Sequence, residues 1–170
     1  EMTEFDLTRI LTGSEGTLAF ITEARLDITP LPKVRRLVNV KYDSFDSALR
    51  NAPFMVEARA LSVETVDSKV LNLAREDIVW HSVSELITDV PDKEMLGLNI
   101  VEFAGDDETL IDERVNALCA RLDELIASQQ AGVIGWQVCS ELAGVERIYA
   151  MRKKAVGLLG NAKGAAKPIP

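Results

Sequence analysis

Histidine occurs once in these 170 residues and cysteine twice, so the chain holds few of the side chains that bind transition metals. Cys119 and Cys139 stand twenty residues apart without a CxxC spacing, which removes the common zinc and iron–sulfur patterns. Each is expected to be a small buried hydrophobe. His81, in Val79-Trp80-His81-Ser82, has no His or Cys at ligand spacing and reads as a surface or core histidine. No apolar run approaches the ~20 residues needed to span a bilayer, and no basic-then-apolar leader opens the chain. A cytoplasmic protein, or one bound peripherally to a membrane, is expected. Acidic residues are missing from one stretch. From Arg147 onward there are six basic residues (Arg147, Arg152, Lys153, Lys154, Lys163, Lys167) and no Asp or Glu, so this end carries +6 within a net charge of −8.

The rest of the chain therefore carries −14, which disfavours general nucleic-acid binding because the phosphate backbone demands an extended basic surface. A local basic end suits a small anion instead. Hydrophobic residues make up 47%, enough at this length to bury a core. The chain starts at Glu1 and stops at Lys167-Pro168-Ile169-Pro170, and reads as a piece of something longer.

Asp6 to Leu11 could form a short helix. Gly13-Ser14-Glu15-Gly16-Thr17 follows, a turn whose two glycines can take positive φ and let successive backbone N–H groups converge on an anion. Most such turns only redirect the chain. Leu18 to Thr29 then alternates like a strand, and Pro30-Leu31-Pro32 breaks regular structure, which places a domain boundary near Pro32.

Beyond it the pattern predicts strands over Val34 to Tyr42, Ala60 to Val66, Leu96 to Phe103 and Val133 to Cys139. Helices are predicted over Phe45 to Glu57, capped by Ser44 with Phe45, Ala48, Leu49 and Ala52 on one face, and over Asp67 to Arg75. Another follows Asp106 or Asp107, and a last one runs from about Leu142 to Leu159, while Ile78 to Pro91 is ambiguous. This order is that of an α+β fold, a ferredoxin-like antiparallel sheet with its long helices on a single face. In the last helix Val145, Tyr149, Val156 and Leu159 fall on one stripe with Arg152 among them. Its head could snorkel to water, or it could serve a site, since a planar guanidinium can hold a carboxylate through two parallel hydrogen bonds.

The longer string TGSEGTLAFITEARLDITPLP resembles the end of the flavin-binding domain in FAD-linked oxidases of the vanillyl-alcohol oxidase (PCMH-type) superfamily. Within it the likeness is to the D-lactate, glycolate and D-2-hydroxyglutarate dehydrogenase branch. The resemblance implies that residues 1–32 close the FAD-binding domain and residues 33–170 form the cap, or substrate-binding, domain. It implies that Gly13, Ser14, Gly16, Thr17 and Ile21 belong to a cofactor surface, with Glu15 orienting the loop through hydrogen bonds to backbone N–H groups. Ala19 departs from the glycine more usual there, by one methyl.

In the resembled family an aromatic-X-X-Arg element on the cap's final helix holds the substrate carboxylate, and Tyr149-Ala150-Met151-Arg152 fits it. Lys167, before Pro168, stands where a second substrate-reaching lysine would fall, and Val156 replaces an assisting threonine. The implied reaction is oxidation of a D-2-hydroxyacid to the 2-oxoacid by hydride transfer to flavin. The base and a substrate-ordering metal would come from a histidine-rich stretch downstream, so this piece alone is expected to be inactive and not to retain FAD. Met151 to Pro170 is similar to very large bacterial proteins that fuse such a flavoprotein to an iron–sulfur module, whose cluster would lie outside these residues. The electron acceptor is left open. A different reading, a stand-alone ferredoxin-like ligand-sensing or oligomerisation module, also fits the body of the chain.

Overall fold

A computed structural model describes residues 6–160. The chain forms two compact units that divide between Leu31 and Pro32. In the first, the Asp6 carboxylate accepts from Thr8 N at 3.0 Å and opens a single helical turn, α1 (Thr8–Leu11). Two successive turns follow, with Ser14 N donating to Leu11 O at 3.1 Å and Thr17 N to Ser14 O at 2.9 Å. The expected strand over Leu18 to Thr29 does not form. Its alternation supplies an apolar face, but a strand exists only where a neighbour takes up its backbone hydrogen bonds, and no described residue does so. Phe20 and Ile28 are accordingly 94% and 92% exposed.

The second unit is built on β1 (Val34–Tyr42), α2 (Phe45–Glu57), β2 (Ser62–Asp67), α3 (Ser68–Glu76), β3 (Gly97–Gly105), α4 (Glu108–Ala127), β4 (Val133–Cys139) and α5 (Leu142–Gly160). Side-chain caps set three of the helix starts: Ser44 accepts from Ser47 N, Asp67 from Val70 N and Asp107 from Leu110 N. The ambiguous stretch after α3 is a 3₁₀ helix (Ile78–Ser82) followed by turns. The strands pair antiparallel in the order β2-β3-β1-β4, the ferredoxin-like arrangement.

Period-two alternation along the central strands sends side chains to both faces, and both faces are apolar. Val38, Val40, Tyr42, Val101 and Phe103 pack with Ala48 and Met55 of α2 and Ile111, Val115, Leu118 and Leu122 of α4. Leu37, Leu98 and Ile100 pack on the other side with Leu71 of α3 and Val145, Ile148 and Met151 of α5. The two crossover helices thus share a face as the ferredoxin-like order requires, but α3 and α5 cover the opposite face, which the expectation of helices on one side omitted. Runs such as Leu98-Asn99-Ile100-Val101, apolar on both faces apart from one asparagine, are the sequence counterpart of a sheet buried twice.

Two helix faces also differ from expectation. In α2 the buried residues are Ala48, Asn51 and Met55, while Leu49 is exposed. Asn51 is tolerated inside because its amide donates to Ser47 O and Ala131 O. In α5 the buried stripe is Gly144, Val145, Ile148, Met151 and Ala155. Tyr149, Arg152 and Val156 run along its shoulder. Spacings of three and four mark two adjoining stripes on any helix, and here the wholly apolar one faces the core.

Candidate functional site

Gly13 and Gly16 adopt φ of +82° and +77°, and Glu15 between them takes +51°. An added Cβ at either glycine would meet no atom within 4 Å, so both face open space. Among the described residues the N–H groups of Glu15 and Gly16 donate to no backbone carbonyl, and the Thr17 hydroxyl turns back to Ser14 O at 2.6 Å. A turn with free N–H groups and uncovered glycines fits an anionic group. The Glu15 side chain is exposed. Ile21 is exposed.

In the second unit a cavity of about 430 Å³ opens at the free edge of the sheet, between β2, α3 and the second half of α5. Val63, Val66, Leu71, Met151 and Val156 line its apolar walls, and its charged groups are Glu64, Asp67 and Arg152. The Asp67 carboxylate is occupied in capping α3. Arg152 projects from the α5 shoulder, half-exposed, and its Nε meets Glu64 Oε2. That oxygen is shielded from solvent and has no aligned hydrogen-bond donor, so the ion pair is its one partner among the described residues.

Beside this pair lies a buried polar group that sequence reasoning missed. Glu102, on interior strand β3 and 6% exposed, accepts from Arg35 Nε at 2.7 Å, from Tyr149 Oη at 2.5 Å and from Ser62 Oγ at 3.4 Å. The Arg35 guanidinium also sits 5.4 Å from the Tyr149 ring centroid. Burial, then the bond to Glu102, pushes the Tyr149 hydroxyl up to about 12, and the Glu102 bond raises Arg35 further. The signal was present but weak: a lone Glu between Val101 and Phe103 in an apolar strand.

The cysteines lie in different cores on opposite faces of the sheet, and burial raises both thiols, Cys119 to about 11. They cannot share a ligand. His81 is exposed. Lys167 lies outside the described residues. Among the described residues no helix is long and apolar enough to cross a membrane, and no three His, Cys, Asp or Glu side chains gather where they could hold a metal.

A four-stranded antiparallel sheet with an Arg-bearing closing helix is matched, over residues 31–170, by the family model of FAD linked oxidases, C-terminal domain. The chain belongs to this family. Among its relatives, the D-2-hydroxyglutarate dehydrogenase of Escherichia coli (strain K12) is 97% identical over 170 residues, covering 100% of this chain and 17% of that protein. That of Pantoea ananatis (strain AJ13355) is 79% identical over 170 residues, again 100% of this chain and 17% of the relative. The chain thus spans about one sixth of the length of these curated relatives. A solved alkyldihydroxyacetonephosphate synthase in P1 superposes with a TM-score of 0.56 at 15% identity, covering 95% of this chain and 30% of that one, and so shares the fold. Within this FAD-linked oxidase domain, the shoulder of α5 sets beside a cavity an arginine whose terminal nitrogens bond no other described residue.

Proposed function

We propose that this domain is the carboxylate-holding cap of a longer flavoprotein that oxidises a D-2-hydroxyacid to the 2-oxoacid, with D-2-hydroxyglutarate, named in its relatives, as the first substrate to test. The observation that carries the reading is Arg152 at the cavity mouth. Its Nε is occupied by Glu64, and no described residue bonds its two terminal nitrogens. Those nitrogens form a fork matched to a carboxylate, and holding that group fixes where the neighbouring C2–H and hydroxyl point.

Residues 1–32 are proposed as the end of the FAD-binding domain, where Gly13, Ser14, Gly16 and Thr17 would contribute to holding FAD and residues 33–170 form the cap. FAD, when bound, supplies the hydride acceptor. Tyr149 does not serve as the base, because its hydroxyl donates to Glu102 and stays protonated well above neutral pH. The base is assigned to another part of the polypeptide, as are any metal or cluster ligands. Lys167 is proposed as a second substrate contact. Val156, at the cavity wall, offers no hydroxyl.

Arg152→Lys in the full-length flavoprotein removes the bidentate fork while keeping the charge. It should lower kcat/KM for D-2-hydroxyglutarate by roughly 10- to 100-fold, the scale of one charge-assisted hydrogen bond. An unchanged kcat/KM removes Arg152 from the site.

A further inference from the structure

Arg152 is long, half-exposed and flexible by nature, so a free arginine at its position would sample many rotamers. Two contacts prevent this. Tyr149, one turn earlier on α5, is tied to Glu102 at 2.5 Å, and Arg152 is tied to Glu64. The two acids belong to one patch of the sheet, since Ser62 of β2 stands opposite Glu102 of β3 and Glu64 lies two residues beyond Ser62 on the same face. Neighbouring side chains of the helix therefore meet neighbouring carboxylates of the sheet.

We propose that Glu64 is the positioning residue for Arg152. It rests on the reading of Arg152 given above. By pairing with Nε, the carboxylate restrains the guanidinium beside β2 and leaves both terminal nitrogens to the cavity that Arg152 lines. The arrangement favours one carboxylate bound end-on through both terminal nitrogens over a side-on mode that would need Nε. The pair also resists exchange. Glu64 Oε2 is shut off from solvent and has no other donor, so releasing Arg152 leaves a buried acceptor unpartnered, a costly state that holds the arginine in place. Glu64 touches Arg152 and acts on substrate only through it.

The test is a double-mutant cycle in the full-length flavoprotein with D-2-hydroxyglutarate: Glu64→Ala, Arg152→Ala and the double variant, each checked for flavin content and thermal midpoint. Glu64→Ala alone should lower kcat/KM about tenfold, mostly through KM. In the Arg152→Ala background the same change should have no further effect. Glu64→Gln, which keeps the shape, should fall between wild type and Glu64→Ala and replaces the latter in the cycle if that variant fails to fold. If Arg152→Ala retains full kcat/KM, the reading of Arg152 is wrong and this inference falls with it. If Arg152→Ala is crippled while Glu64→Ala stays within about twofold of wild type, or if Glu64→Ala does equal damage in both backgrounds, only the positioning role is overturned.

Discussion

Tyr149 Oη donates to Glu102 Oε2 at 2.5 Å and so joins the closing helix to an interior strand. Glu102 is the hub of that junction, holding Arg35 on one oxygen and Tyr149 on the other. A carboxylate this deeply placed is tolerated because its lone pairs are occupied. The helix turn that carries Arg152 is fixed by the same bond.

Tyr149→Phe should destabilise the chain by about 1–3 kcal/mol, because it keeps the ring but leaves a buried acceptor with only the long Ser62 contact. Urea denaturation of the 170-residue chain reads this as a lower midpoint at unchanged slope. An unchanged midpoint would mean that Glu102 finds another donor.

The chain has only two tyrosines, Tyr42 and Tyr149, and burial raises both above the ordinary phenol value, Tyr149 to about 12. A raised folded pKa stabilises the fold fully below the unfolded value near 10 and is lost as pH climbs through the folded value. Absorbance of phenolate should therefore lag the model-peptide titration, and stability should fall between about pH 10 and 12 for Tyr149. In Tyr149→Phe that fall should be shallower. Normal titration of both tyrosines in the folded chain would contradict the burial described.

Gly97 opens β3 where the chain passes the start of α2. A Cβ there would lie 2.7 Å from Ser44 O and 3.0 Å from Ala48 Cβ. Neither can move without shifting the helix. Gly97→Ala should cost about 1–3 kcal/mol by overpacking, seen as a lower thermal midpoint with the secondary structure retained.

Local chemistry made most of the second unit legible in the sequence. Ser44 and Asp107 announced their helices because a capping side chain acts within three residues. The four strands followed from β-branched, alternating runs, and their order from the ferredoxin-like succession. What the sequence hid depends on distance along the chain. Arg35, Glu102 and Tyr149 converge from positions 67 and 47 residues apart, so no spacing rule connects them. The covering of the second sheet face by α3 and α5 was likewise a tertiary choice.

The segment Leu18 to Thr29 shows the opposite failure. Its alternation is genuine, yet alternation marks only a face, and the ladder that makes a strand requires a partner. Arg152 stood out because charge in a helical stripe is conspicuous, and the family resemblance singled it out as a site candidate. Its stripe was misplaced by one position, and Glu64, its partner, gave no sign of itself among the ordinary residues of a half-buried edge strand.

The central claim is that Arg152 holds the substrate carboxylate. Steady-state kinetics of wild type and Arg152→Lys in the full-length flavoprotein, at equal flavin content, tests it most directly. In Arg152→Lys, kcat/KM for D-2-hydroxyglutarate should fall roughly 10- to 100-fold. Equal kcat/KM in the two proteins would contradict it.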